Sequence, residues 1–297
     1  MKSLLQLQDA YFFARDLHMR VWNSFFRAFG ARRVFSSSPK ISDSDSTRYS
    51  YFVNSAVSSE RVFRKFRRNF YYRQILEHVN YKLGFSYLSR LSKESIEDLR
   101  NFEDVASLSF VGSPRRFYFK SLGLISPTMI RYQYVSQELQ RYFGESIGKN
   151  VVEIGVGFGG QYAILNNAYE IEKYTMFDLP QVMELTHKVL KTAGVEVSKI
   201  FAGNIENPLI QECDLVISNY AFSELPRDVQ RKYIEGILAK SQRGYLIMNS
   251  GRTDFSGRSS GKFTLEELRE VLPFFEVFEE DPLTGPDNYL IVWGRHQ

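Results

Sequence analysis

Val151 to Gln161 reads V-V-E-I-G-V-G-F-G-G-Q, a β-branched run that reaches an acid and then four glycines within six residues. A strand that ends in glycines and enters a helix brings bare backbone N–H groups and a helix N-terminus up to a ligand, with no side chain in the way. The stretch therefore points first to a nucleotide-like ligand. The competing reading is a turn that serves packing alone, but four glycines carry an entropy cost that a plain turn does not need.

Two fingerprints fit the same letters. Gly155, Gly157 and Gly160 satisfy the dinucleotide pattern GxGxxG, and Asp178 falls near the distance expected of a ribose-binding acid. Glu153, together with Gly155, Gly157 and Gly159, gives E-x-G-x-G-x-G, which resembles the first motif of class I S-adenosylmethionine-dependent methyltransferases. The rest of the chain has to separate these two cofactors.

From Asn150 onward the pattern alternates strand and helix, the signature of a parallel sheet covered on both faces. Strands are expected at Val151 to Ile154, Lys173 to Phe177, Lys199 to Ala202, Leu215 to Ser218 and Tyr245 to Asn249. Helices are expected at about Gly160 to Tyr169, Leu179 to Ala193 and Pro226 to Ala239, with a short third crossover from Gly203 to Glu212. Thr264 and Glu267 form a capping box for a helix from Leu265 to Leu272. Phe274 to Glu279 and Tyr289 to Trp293 can then pair as an antiparallel hairpin across a loop containing Pro282, Gly285 and Pro286. Five parallel strands closed by such a hairpin are the methyltransferase arrangement, whereas the dinucleotide fold continues with a parallel sixth strand. The expectation is an α/β, Rossmann-like sheet of seven strands with a C-terminal antiparallel hairpin.

Upstream the pattern is helical. Leu4 to about Phe29 carries apolar positions at mixed three and four spacing, and Ser36 to Ser50 reads as a loop or linker. Ser58 to Tyr87 is helical again, and within it Arg61 to Arg73 sets Phe63, Phe66 and Phe70 on one stripe among basic residues. Such a stripe fits either a core-packed helix with a solvated basic face or peripheral contact with an anionic membrane. Nucleic acid is disfavoured, since no recognised nucleic-acid motif accompanies the patch. A further helix is expected over Leu91 to Phe102, and Pro127 opens another through Phe143 at the first-turn position that proline tolerates. Residues 1–145 thus read as a mostly helical cap and substrate region, and residues 146–297 as the cofactor-binding domain.

Composition narrows the setting. With 297 residues, 43% hydrophobic and 24% charged, the chain can bury a sizeable core, and a formal charge of +4 does not demand a polyanionic partner. Cys213 is the sole cysteine, which rules out an intramolecular disulfide and thiolate zinc sites needing several cysteines. A reducing compartment follows as the simplest reading. Gln6, Gln8 and Asp9 interrupt the N-terminal apolar residues, and no long apolar run appears, so a cytoplasmic protein is expected.

Four stretches together are more specific than the glycines alone. They are V-V-E-I-G-V-G-F-G-G-Q, T-M-F-D-L-P-Q-V from Thr175, D-L-V-I-S-N-Y-A-F-S-E-L from Asp214 and D-P-L-T-G-P-D-N-Y-L-I-V-W-G from Asp281. With the upstream G-S-P-R-R-F and S-P-T-M-I-R-Y, they resemble the bacterial putative sugar O-methyltransferases over about Val111 to Gly294. The resemblance implies S-adenosylmethionine as cofactor and methyl transfer to a hydroxyl of a sugar or sugar nucleotide. A non-sugar acceptor such as a polyketide or phenolic is the alternative enzyme reading. A non-catalytic nucleotide-binding protein and an NAD-dependent oxidoreductase stand as readings of other classes.

The resemblance puts Glu153, Gly155, Gly157 and Gly159 beside the methionine and ribose parts of the cofactor. Asp178 is expected to accept from both ribose hydroxyls, against a plain helix-start role. Asn204 is a candidate for the adenine edge, or a turn former, and Asn219 is a further cofactor candidate. Methyl transfer requires an acceptor oxygen to be aligned and its proton removed. Glu224 is the first candidate base, with Tyr220 in the same loop and His78 in the cap as rivals; His18, His187 and His296 are less well placed. Ser223, Asp287 and Asn288 are candidates for the acceptor pocket. Arg131, with Arg115 and Arg116, could clamp a sugar-nucleotide diphosphate through bidentate guanidinium contacts. No pair of acids at metal-ligand spacing stands out on the ligand face, so a divalent metal is possible but not implied. Oligomeric state is not legible.

Overall fold

A computed structural model describes residues 47–249, 262–272, 274–286 and 288–295. The expectations for Leu4 to Phe29 and for Ser36 to Ser46, and the candidates His18, Asp287 and His296, lie outside those residues. The described residues group as one unit by their contacts.

The cap begins with α1 (Thr47–Ser58), α2 (Glu60–Phe63), a 3-10 turn (Phe66–Arg68), α3 (Phe70–Ile75), α4 (Tyr81–Leu88), α5 (Lys93–Asn101) and α6 (Glu103–Leu108). A two-stranded hairpin, β1 (Phe117–Phe119) with β2 (Gly123–Ile125), precedes the long helix α7 (Pro127–Phe143). The helical stretch expected over Ser58 to Tyr87 is therefore divided into several short helices. Asn69 is one reason, because its side chain accepts from Tyr71 and Tyr72 N–H and starts a new helix there; Asn80 does the same at α4. The Phe stripe divides with it: Phe63 and Phe66 are buried, while Phe70 is 44% exposed. α1, a helix not expected, starts at Thr47, inside the span read as linker, and ends at Ser58, where the expected helical pattern begins.

Next come β3 (Asn150–Ile154), α8 (Gly160–Ala168), β4 (Lys173–Phe177), α9 (Pro180–Ala193), β5 (Ile200–Ala202), β6 (Cys213–Asn219), α10 (Ala221–Glu224), α11 (Arg227–Gly236), β7 (Ser241–Met248), α12 (Leu265–Val271), β8 (Glu276–Glu279) and β9 (Tyr289–Trp293). The sheet order is β5-β4-β3-β6-β7-β9-β8, parallel throughout except that β9 runs antiparallel to β7 and β8. This is the class I methyltransferase fold, as expected. The short crossover expected over Gly203 to Glu212, with at most a turn of helix, holds none. β7 starts four residues earlier than the apolar run because Ser241, Gln242 and Arg243 form a polar lead-in, of which Gln242 is exposed.

Strand residues alternate between two cores, as the pleat requires. Val151, Leu215, Ile217, Tyr245, Ile247 and Val292 face the side carrying the cap and α7 to α9. Val152, Ile154, Val216, Leu246 and Ile291 face the side carrying α11 and α12. The cap is tied to the sheet domain by polar contacts as well: Gln181 Nε2 donates to Ser50 Oγ at 3.0 Å and Lys188 Nζ to the Val57 carbonyl at 3.0 Å. The helix starts read from sequence hold locally. Of Ser92 and Ser95, the two candidates for the start of the helix over Leu91 to Phe102, Ser92 caps α5; Pro127 occupies the first turn of α7, and Thr264 with Glu267 closes a capping box on α12. Among the described residues no helix is long and apolar enough to cross a membrane.

Candidate functional site

All parallel strands deliver their carboxyl ends to one edge of the sheet, where open α/β sheets bind ligands. A cavity of about 600 Å³ lies there. Its floor is Ile154 and Gly155 after β3 and Phe177 and Asp178 after β4; its sides are Asn219, Tyr220 and Glu224 after β6, and Asn249 after β7. The β8–β9 loop adds Thr284 to Pro286 and Asn288, because β8 runs with the parallel strands and its loop opens on the same edge. The cap supplies the roof through Tyr49, Leu76, His78 and Arg131.

The glycine turn explains itself sterically at two positions. Gly155 has φ 79°, and a Cβ there would sit 2.1 Å from the Ala221 Cβ, so only glycine lets the β3 turn touch the start of α10. Gly157 has φ 59° and lies under Leu76 of the cap, 3.2 Å from where its Cβ would be. Asp178 braces this turn. Its Oδ2 accepts from Val156 N at 2.9 Å and Gly157 N at 3.4 Å, and its Oδ1 from Leu179 N at 2.8 Å. Burial pushes its carboxyl up to about 6, against the pull of those three N–H groups.

Tyr220 has φ 72° and ψ −29°, a conformation that costs a non-glycine residue on the order of 1–3 kcal/mol. The surroundings hold it there. Its N–H donates to the Ile247 carbonyl at 2.9 Å, its carbonyl accepts from Ser223 Oγ at 2.6 Å, and its hydroxyl donates to Glu280 with Thr284 Oγ1 at 3.0 Å. Burial, and after it Tyr87 and Glu280, raises the phenol far above its ordinary range, although Arg131 opposes the shift. Tyr220 is therefore a fixed wall of the cavity, with its hydroxyl proton committed to Glu280. Glu224 lies at the end of α10, with Oε1 accepting from Asn249 Nδ2 at 3.0 Å.

His78 sits between α3 and α4, exposed toward the cavity and surrounded by protein elsewhere. The protein packed around the ring, then the Arg131 guanidinium, lowers it below its ordinary range, with a backbone bond at Ile75 opposing. The imidazole is thus neutral near pH 7, and its Nε2 lies 3.5 Å from Arg131 Nη1. Among the described residues no three His, Cys, Asp or Glu side chains converge as metal ligands would.

No protein-family model matches the chain, and a search of curated proteins finds no match. Solved structures do resemble it. The chain is similar to the pyocyanin biosynthetic protein PhzM at 16% identity and a TM-score of 0.39, over 57% of this chain and 58% of that one. It is similar to the mitomycin 7-O-methyltransferase MmcR at 15% identity and 0.39, over 56% and 57%. A SAM-dependent methyltransferase from Aquifex aeolicus aligns at 14% identity and 0.38, over 69% and 98%. The matched part spans less than two thirds of PhzM and of MmcR. These are likenesses of fold; the fold itself is read from the strand order and connections.

The cavity brings together Gly155, Asp178, Asn219, Tyr220, Glu224, His78, Arg131 and Asn288. Gly157 and Gly159 belong to the same turn but sit behind it, Gly157 under Leu76 and Gly159 against Thr186 and Leu190 of α9. Glu153 does not line the cavity. It shares the cap-side face of β3 with Val151, is 1% exposed, and its Oε2 accepts from Tyr174 Oη at 2.8 Å. Burial raises it to about 8, so near pH 7 it is a neutral acid and lacks the charge expected for an ammonium contact. Asn204 also lies elsewhere, its Oδ1 closing a turn with Glu206 and Asn207 N–H at 2.9 and 3.3 Å.

Ser223 stands behind the loop, donating to the Tyr220 carbonyl and accepting from Asn249 N at 3.0 Å. Arg115 and Arg116 are not at the cavity with Arg131; Arg116 stacks on the Phe110 ring at 4.1 Å. The expected triple clamp is not assembled, because the arginines follow a turn before β1 while Arg131 points inward from α7. Tyr49, Asn249 and Thr284 are site residues that the sequence reading missed. Asn249 had a signal, since it ends the fifth expected strand and so falls on the ligand edge, and Thr284 shares the hairpin loop of Asn288; Tyr49 had none.

Proposed function

We propose that this protein is an S-adenosylmethionine-dependent O-methyltransferase whose acceptor is a hydroxyl of a sugar or sugar nucleotide. The observation that carries the reading is the cavity at the carboxyl edge of a class I methyltransferase sheet, bounded by the glycine turn, Asp178 and the polar loop after β6. The residues present suit the cofactor. Gly155 leaves the backbone bare, Asp178 is an acid at the end of β4, and Asn219 carries a buried Oδ1 without a partner. When bound, the cofactor supplies a methyl group on a sulfonium centre.

The chain's own groups would then have three tasks. Asp178 accepts from the ribose hydroxyls while keeping the turn in shape, and Asn219 offers its unpartnered oxygen to a donor of the cofactor. Glu224, steadied by Asn249, takes the proton of the acceptor hydroxyl as it attacks; neutral His78, on the roof, is the second candidate acceptor. The β8–β9 loop, with Thr284 and Asn288, flanks the acceptor. Closing these groups under the cap excludes water from the reacting atoms.

A non-sugar hydroxyl acceptor is the competing enzyme reading. Incubation with methyl-labelled S-adenosylmethionine and a panel of sugars, nucleotide sugars and phenolics separates the two. Label is expected in the sugar fraction; label confined to phenolics would replace the acceptor class, and label in no fraction would count against catalysis.

A further inference from the structure

Arg131 is the residue common to the 600 Å³ cavity and a neighbouring one of about 380 Å³, which is walled by Tyr87, Tyr134, Tyr245 and Glu138. Its side chain is almost wholly buried, at 5% exposure. Nε has no hydrogen-bond partner, and no carboxylate of the described residues lies within ion-pair distance of the guanidinium. What surrounds it are ring faces, with Tyr132 at 5.0 Å and Tyr220 at 5.7 Å, and the neutral His78. Ring faces attract a cation but accept little from its N–H groups; Nη1 reaches His78 Nε2 at 3.5 Å, while Nε stays unmet.

The acids nearby are each engaged elsewhere. Glu138 pairs with Arg141 at 3.1 Å, Asp281 with Arg90 at 2.5 Å, and Glu280 accepts from Tyr220 and from Thr284 N at 2.9 Å. Asp178 holds three backbone N–H groups. The uncompensated charge between the two cavities is therefore positive and belongs to Arg131.

We propose that Arg131 is an anion receptor, binding a carboxylate or phosphate of a ligand of this site through charge-assisted hydrogen bonds. The anion has two sources. One is the amino-acid carboxylate of S-adenosylmethionine, and that source rests on the methyltransferase reading. The other is a carboxylate or phosphate on the acceptor, which would make the acceptor an acidic sugar or a sugar phosphate.

The test titrates the wild type, Arg131→Met and Arg131→Lys with S-adenosylhomocysteine, with 5′-methylthioadenosine, which lacks the amino-acid end, and with inorganic phosphate. Arg131→Met is expected to lose roughly tenfold or more in affinity for S-adenosylhomocysteine or for phosphate, with 5′-methylthioadenosine unaffected. A loss confined to S-adenosylhomocysteine assigns the cofactor carboxylate; a loss confined to phosphate assigns the acceptor. Arg131→Lys, which keeps the charge without the fork, should show a smaller loss and serves if the methionine variant does not fold. Unchanged affinity for both anions in the variants, or a matching loss for 5′-methylthioadenosine, overturns the proposal. A wild type that binds neither nucleoside defeats the methyltransferase reading instead, and the phosphate titration then still decides whether Arg131 is a receptor.

Discussion

Replacing Arg67 with methionine should unfold this protein far more readily than its place in a basic stretch suggests. Arg67 is 0% exposed. Its Nε donates to Glu77, itself nearly buried, its Nη1 to the Leu108 carbonyl at 2.7 Å, and its Nη2 to Ser126 Oγ at 3.4 Å. The guanidinium carbon lies 3.9 Å from the centre of the Phe158 ring, inside the glycine turn. Glu77 Oε2 accepts in turn from Thr128 Oγ1 at 3.0 Å. Methionine fills the stem's volume but leaves Glu77 as a buried carboxylate without its cation, a change that costs about 3–5 kcal/mol. For a domain of this size that is a fall of roughly 6–20 °C in Tm. Urea denaturation followed by circular dichroism measures it. Adding Glu77→Gln to Arg67→Met should recover part of the loss, since the stranded charge is gone. A loss below about 1 kcal/mol for Arg67→Met, or a double variant no better than the single one, would refute the role given to this pair.

Glu153→Gln should flatten a pH dependence of stability. The folded carboxyl titrates at about 8 against an ordinary 4.5, so the folded state holds a proton that the unfolded state has released across that window. Stability then falls as pH rises from about 4.5 to 8, and glutamine, neutral throughout, removes that slope in denaturation series. Asp178, raised to about 6, must be ionised to accept from ribose hydroxyls as well as from the turn. Affinity for S-adenosylhomocysteine should therefore weaken below about pH 6, and a wild-type affinity that stays level from pH 8 to 5 would count against the ribose role. Glu224→Gln should keep cofactor affinity and lose about 10²-fold or more in kcat, and an unchanged rate would transfer the base role to His78.

The fold was legible because its signals are local and repeated. β-branched strand runs, the glycine turn and the Pro and Gly residues of the last loop mark each element, and strand order follows once the hairpin is seen. The cavity floor was legible for the same reason, since residues just past a parallel strand fall on the ligand edge; that is how Asp178, Asn219 and Glu224 were found. Side-chain direction was harder. Glu153 precedes the turn by two residues, yet the pleat turns it into the cap-side core beside Tyr174. Arg67 looks like its exposed neighbours Arg64 and Arg68, and what buries it lies 10 to 59 residues away at Glu77, Leu108 and Ser126. Contacts made at that separation leave no mark on the local pattern.

The cofactor is the claim on which the rest stands, and calorimetric titration of the purified protein with S-adenosylhomocysteine and, separately, with NAD tests it most directly. Saturable heat is predicted with S-adenosylhomocysteine, weakened in Asp178→Ala, and none with NAD. Saturable binding of NAD with no response to S-adenosylhomocysteine would contradict the account.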